Sequence, residues 1–199
     1  MATPAPGAEH AAKSPGDRTQ LRRERIAARE ALSGAEHARR SADIESRLEK
    51  LLASHEPAIL GFCWPIRAEF DARPLVTRLL GAGWRACLPV LVGVDEPMSF
   101  RAWTPQSAMA LDRYGIHYPA AGEALEPDIL LMPVNAFDRR GYRIGYGGGY
   151  FDRTLAAMTH RPLAVGVGFE LARVTDISPQ PHDIALDAVI TESSSDFFT

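Results

Sequence analysis

Apolar residues recur every three to four positions from about residue 18 to 30, and again over 34–54, where Ile44, Leu48, Leu51 and Leu52 share one helical face. Two N-terminal helices are expected, the second with Ser33 as its N-cap. Beyond residue 57 the pattern changes. Short, nearly continuous apolar runs at 58–63, 85–92, 128–134, 163–169 and 188–191 read as buried strands, with a further strand at 98–103. A helical stretch at 74–80, stopped by Gly81 and Gly83, separates the first two, and another helix follows Gly149. Strands alternating with helices predict a layered α/β domain with a largely parallel, covered sheet.

Residues 1–16 break this pattern, being rich in alanine, proline and glycine without one large apolar side chain after Met1. Such a segment cannot offset the entropy of ordering, so 1–16 is expected to be a flexible tail and 17–199 one domain. A chain of 199 residues, 46% hydrophobic, can close one sizeable core. Net charge is only −3, which argues against a nucleic-acid coat or a membrane-surface protein, so any basic site must be local. Cys63 and Cys87 each sit in a short apolar run without metal-ligand spacing and are expected to be reduced core residues. With no apolar run of membrane-spanning length and no secretory pattern, a cytoplasmic location is expected.

The most informative stretch runs from 128 to 158: an apolar strand, a basic loop, a glycine cluster, then a helix. Gly145, Gly147, Gly148 and Gly149 allow positive φ and a close approach to an anion, while N–H groups at the helix start face outward to receive oxygens. Phosphate is the natural guest. The spacing fits neither a Walker A loop nor G-x-G-x-x-G. Arg139, Arg140 and Arg143 could supply positive charge, and Asp152, in the first helical turn, could hold magnesium beside phosphates or simply complement the helix dipole.

Arg18, Arg22, Arg25 and Arg29 fall within roughly 60° of one another on the first helix, bordering its apolar strip. They either clamp phosphates from the edge of a cleft or form a solvated face. Glu69 and Asp71 follow the first strand, at the carboxyl edge where open α/β sheets place ligands. Glu69 suits the amino edge of a heterocycle, whereas Asp71 suits a helix cap. Trp64, Trp103, Tyr118 and Tyr150 are candidates for stacking a flat ring or packing the core. His182 and Asp183 follow Pro179 and Pro181 in a turn, where an Asx-type bond is the expected role, outside the immediate site.

The segment GYRIGYGGGYFDR (residues 141–153) resembles the signature of the 5-formyltetrahydrofolate cyclo-ligase family, also called methenyltetrahydrofolate synthetases. LRRERIAAREALS (21–33), EFDARPL (69–75), LPV (88–90), MSFRAW (98–103), AFDRRG (136–141) and PHDIALDAVITE (181–192) follow in the family's order. The resemblance implies a three-layer α/β/α fold and the ATP- and Mg2+-dependent closure of 5-formyltetrahydrofolate to 5,10-methenyltetrahydrofolate, releasing ADP and phosphate. It implies ATP contacts from Arg18, Arg22, Gly145, Tyr146, Gly147, Gly148, Gly149 and Tyr150. Arg143, Tyr150 and Asp152 become the candidate catalytic groups, Asp152 the magnesium ligand, and Glu69 and Trp103 the folate contacts. The implied partners are 5-formyltetrahydrofolate and ATP, with no nucleic acid or membrane, acting on a monomer.

Four positions depart from the family's habit: Arg18 replaces a lysine, Val134 a glycine, Phe151 a tyrosine and Leu171 a glutamine. A catalytically silent folate- or nucleotide-binding paralogue is the alternative in keeping with those changes, and an RNA-binding protein using the arginine stripe is a third.

Overall fold

The computed structural model describes residues 15–198. The tail expected at 1–16 lies outside the described residues, save for its last two positions, which open helix α1, Pro15–Glu30. Helix α2, Gly34–Leu52, starts where the Ser33 side chain accepts the Glu36 N–H at 3.2 Å, and it buries Ile44, Leu48 and Leu52 at four-residue spacing. Helix α3, Arg73–Gly81, begins with a proline in its first turn and buries Leu75 and Val76. Helix α4, Tyr150–Ala157, starts from Gly149 in the left-handed region.

Seven strands form the main sheet: β1 Ile59–Gly61, β2 Arg85–Val90, β3 Ser99–Ala102, β6 Ile129–Pro133, β9 Leu163–Val167, β10 Ala188–Ile190 and β11 Ser195–Phe197. Their order is β11-β10-β9-β6-β1-β2-β3. The five inner strands are mutually parallel, while β3 and β11 close the two edges antiparallel. The expected largely parallel sheet is therefore present, with antiparallel borders that the sequence pattern did not reveal.

Alternation along the strands explains why the inner sheet is apolar on both sides. Leu60, Leu88, Leu131, Val165 and Ile190 face the core beneath α2 and α3. Cys87, Leu130, Met132, Ala164 and Val189 face the opposite core, covered by Leu155 of α4, Phe100, Leu125 and Leu186. Two helices thus cover one face, and one short helix with loops covers the other.

From β1 the chain crosses to β2 on one side and later enters β6 on the other, so the topology switches between β1 and β6. Loops leaving the carboxyl ends of such strands diverge and open a crevice. Helix α1 lies across these loops and bonds to them through its arginines: Arg22 to Gly145, Arg25 to Leu171 and Arg29 to Arg67. Two small hairpins complete the rim: β4 Met109–Leu111 with β5 His117–Pro119, and β7 Ala136–Phe137 with β8 Arg143–Ile144. Among the described residues no helix is long and apolar enough to cross a membrane.

Candidate active site

At the switch point lies a cavity of about 550 Å3. Its walls come from the ends of β1, β2 and β6, from α1, from the glycine loop and the start of α4, from the β4–β5 turn, and from residues 180–183.

The glycine loop forms one wall. Gly147 has φ +97° and Gly149 has φ +63°, conformations that L side chains rarely adopt. A Cβ at Gly147 would stand 3.1 Å from the Arg22 guanidinium, so the missing side chain is what lets arginine and loop meet. Arg22 donates Nε–H to the Gly145 carbonyl at 2.7 Å. Burial lowers its affinity for a proton, and so does Arg18 nearby. Two like charges brought together in a cavity form a site that favours an anion.

Behind the loop sits Arg143, only 6% exposed, donating to the Ile184 carbonyl at 3.0 Å and lying 3.3 Å from Asp152 Oδ1. Burial lowers its pKa, against the pull of Asp152 and Asp183. Asp152 also accepts the Ile184 N–H at 3.0 Å on the same oxygen. No cluster of three or more His, Cys, Asp or Glu able to hold a metal occurs among the described residues. Magnesium, however, is commonly held by one or two carboxylates with substrate phosphates, and Asp152 beside the loop fits that donor pattern.

The opposite wall is built around Glu69, buried at 7% exposure. Its Oε1 accepts the Tyr146 hydroxyl at 2.6 Å and its Oε2 accepts the Ile66 N–H at 3.0 Å. Burial raises its pKa, opposed by those two hydrogen bonds and by Arg29. Arg29 is itself buried. It donates to the Arg67 carbonyl at 2.9 Å, to Asn135 Oδ1 at 3.0 Å and to the Tyr146 hydroxyl at 3.0 Å. Trp64 lines the cavity between the Arg73 guanidinium, 4.3 Å from its ring, and His117, at 4.9 Å between centroids.

The structure brings Arg18, Arg22, Glu69, Arg143, Asp152 and residues 145–150 to one cavity. It does not bring Trp103 there. That ring, one residue past the end of β3, is 4% exposed and packs edge-on against Phe62 at 5.1 Å in the core beneath α2 and α3, and Trp64 occupies the cavity wall instead. Arg139 and Arg140 are also displaced. The stretch expected as a loop is the β7–β8 turn, neither arginine lines the cavity, and Arg140 is held by Asp138 at 2.8 Å.

The expectation for Asp183 held only in part. It does accept the Gln180 N–H at 2.7 Å as a turn residue, yet it also lines the cavity and pairs with Arg18 at 2.6 Å. Cys63, expected in the core, lies at the cavity floor, with a thiol whose pKa is raised by burial. Cys87 is buried in the core as expected. Asp71 bonds the Arg73 N–H at 3.0 Å at the start of α3, its helix-end role.

Sequence reasoning missed the β4–β5 turn, whose Asp112, Tyr114 and His117 reach the cavity. Three-residue strands carry too little periodicity to announce themselves.

A family model described as the 5-formyltetrahydrofolate cyclo-ligase family matches residues 14–192. The chain belongs to that family. The 5-formyltetrahydrofolate cyclo-ligase of Escherichia coli (strain K12) is 36% identical over 136 residues, 63% of this chain and 72% of that protein. The cyclo-ligase of Mycolicibacterium smegmatis is 34% identical over 138 residues, covering 64% and 70%. The NMR structure of Aquifex aeolicus 5,10-methenyltetrahydrofolate synthetase matches with TM-score 0.77 at 29% identity, covering 90% of this chain and 92% of that one.

As a cyclo-ligase family member the chain is a ligase of folate metabolism. Within this cyclo-ligase fold, the positions that depart from habit have readable surroundings. Val134 is buried against the backbone of Gly166 and Gly168, where a glycine would leave a gap. Leu171 packs its side chain on the core and offers only its carbonyl to Arg25, at 3.0 Å.

Proposed function

We propose that the protein closes 5-formyltetrahydrofolate to 5,10-methenyltetrahydrofolate at the expense of ATP, with magnesium held by Asp152. The observation that carries this reading is the division of one cavity into two walls. On one side a glycine loop meets Arg22, and Arg18, paired with Asp183, lines the same cavity. On the other a buried carboxylate, Glu69, stands near an aromatic face, Trp64.

A formyl amide is a poor electrophile. Transfer of the γ-phosphoryl group to its oxygen would make an imidate phosphate and ADP, and attack by N10 on the same carbon would expel phosphate, release the N10 proton and close the ring. Such chemistry asks the protein for positioning and charge neutralisation more than for a nucleophile. In this reading N–H groups of residues 145–150 and the guanidinium groups of Arg18 and Arg22 hold the triphosphate. Arg143, buried behind the loop, offers fixed positive charge where the transferring group gathers negative charge. Magnesium, when bound, would offset charge on the phosphates.

Glu69, whose pKa burial raises against the hydrogen bonds from Tyr146 and the Ile66 N–H, accepts hydrogens from the pterin. Trp64 stacks on the flat ring. The reading also takes the protein to be a cytoplasmic monomer, in keeping with free thiols at Cys63 and Cys87.

Purified protein mixed with 5-formyltetrahydrofolate, ATP and magnesium should develop the near-ultraviolet absorbance of the methenyl product, and omission of ATP or magnesium should abolish it. Tight folate binding without turnover would make the chain a silent paralogue. Salt-sensitive retention of RNA without folate binding would favour the arginine stripe as a nucleic-acid site.

A further inference from the structure

The glycine loop is held at its backbone by two arginines, Arg22 on the Gly145 carbonyl at 2.7 Å and Arg153 on the Gly148 carbonyl at 2.6 Å. Gly145 has open space where a Cβ would be, and Gly147 and Gly149, left-handed here, can leave that conformation at little cost because they carry no Cβ. Among the loop's side chains, the one that reaches into the protein is Tyr146. Although 41% exposed overall, it places its hydroxyl on two buried groups from distant parts of the chain, donating to Glu69 Oε1 at 2.6 Å and accepting from Arg29 Nη2 at 3.0 Å.

Arg29 is the hub of this arrangement. At 4% exposure, its three nitrogens each donate one hydrogen bond, to the Arg67 carbonyl before Glu69, to Asn135 Oδ1 beyond β6 and to the Tyr146 hydroxyl, with Glu69 Oε1 itself 3.8 Å away. Asn135 is 2% exposed, and its side-chain nitrogen reaches no acceptor among the described residues. An uncompensated donor in a buried network opposes folding, which is the mark of residues kept for a role other than stability. The network therefore joins the carboxylate of one wall to the backbone of the other.

We propose that Arg29 is a positioning residue that, through Tyr146, couples occupation of the Glu69 wall by folate to ordering of the glycine loop for nucleotide. This rests on the function proposed above and specifies how its two substrates influence each other. A folate that fixes the Glu69 carboxylate also fixes the acceptor of the Tyr146 hydroxyl. The loop is then already ordered when the triphosphate arrives, and less conformational entropy is lost on binding. Thermodynamic reciprocity requires nucleotide to tighten folate by the same factor.

The test is a titration of the protein with 5-formyltetrahydrofolate, with and without magnesium and a non-hydrolysable ATP analogue at saturation. The ratio of the two affinities is the coupling factor. We expect roughly tenfold in the parent protein. In Tyr146→Phe, which loses one hydroxyl from a half-exposed ring, the factor should fall to about one, while folate alone binds within roughly threefold of the parent. Arg29→Lys, which loses the planar fork, should fall likewise. Arg23→Gln, on the exposed side of α1, should keep the parent ratio.

A general loosening of the fold would weaken both titrations and leave their ratio alone, so the ratio separates positioning from structural support. An undiminished factor in Tyr146→Phe overturns the proposal, as does a factor of one in a parent protein that turns over. A parent protein that binds folate but never forms the methenyl product overturns the proposed function itself, and this coupling with it.

Discussion

Arg143 Nη2 stands 3.3 Å from Asp152 Oδ1, an ion pair in which the arginine is almost wholly withdrawn from water and the carboxylate faces the cavity. Burying a guanidinium without a partner is costly, so the pair stabilises the loop at rest while keeping positive charge beside it. Asp152 consequently has two roles that one substitution can separate. Asp152→Asn keeps the acceptor for the Ile184 N–H and removes the charge. It should lower kcat by roughly 100-fold or more, leave folate affinity within a few fold, and shift the magnesium requirement upward. Matching magnesium titrations of variant and parent would contradict the assignment of Asp152 as ligand.

A second ion pair controls the acid side of stability. Arg18 meets Asp183 through both terminal guanidinium nitrogens, at 2.6 and 3.2 Å. Burial alone would raise the Asp183 pKa, but hydrogen bonds from Arg18 and from the Gln180 N–H bring it below its ordinary value. A depressed carboxylate adds stability above its unfolded pKa, near 3.8, and loses that contribution as pH falls through the folded value. Arg18→Ala removes the principal opposition to burial, so its acid-unfolding midpoint, followed by circular dichroism, should move to higher pH. The same variant should raise the KM for ATP by roughly tenfold, since one of two cavity arginines is gone. Arg18→Lys should lie between, with charge retained and the fork lost. An unmoved acid midpoint in Arg18→Ala would show that the pair carries no linkage.

How much of this site could be read in advance depended on the distance over which the signal acts. Gly147, Gly149 and Asp152 announce themselves because a positive-φ turn and a helix start are local events encoded within a few residues. The inner strands were legible for the same reason, as short apolar runs covered on both faces. The direction of β3 and β11 was not, since pairing direction is set by chain connections rather than by composition. Trp103 and Trp64 show the limit most plainly. Both follow apolar stretches and both suit stacking, and only tertiary placement sends one to the core and the other to the cavity. Arg29 was visible as part of a stripe, but its burial, and hence its partnership with Tyr146, depends on loops far away in sequence.

The glycine loop can be tested against a glycine that has no such task. Gly147→Ala forces a side chain into the left-handed region and toward Arg22, 3.1 Å from the new Cβ. The backbone conflict should cost about 1–2 kcal/mol, seen as a fall in Tm of about 3–6 °C, together with weaker ATP binding as Arg22 is pushed aside. Gly34 opens α2 with nothing within 4 Å of its would-be Cβ. Gly34→Ala should therefore raise stability by up to about 0.5–1 kcal/mol through the unfolded state, with kinetics unchanged. Equal effects at the two positions would mean that the loop conformation at 147 is not required.

The two tryptophans give the sharpest test of which wall receives folate. Trp103 is buried edge-on against Phe62, so Trp103→Ala should cost about 3–5 kcal/mol in denaturant unfolding, as expected for loss of a core aromatic. Trp64 is only partly buried, with one neighbour cationic and the other a histidine ring. Trp64→Ala should leave the fold near its parent stability and raise the KM for 5-formyltetrahydrofolate by roughly tenfold, the worth of about 1.4 kcal/mol of stacking. Arg73 stays anchored by Asp71 at 2.7 Å in that variant, so the loss can be assigned to the ring rather than to a displaced charge. If Trp64→Ala were kinetically silent while the milder Trp103→Phe raised that KM at unchanged stability, the pterin would have to enter from the β3 side, and Glu69 could not be its acceptor.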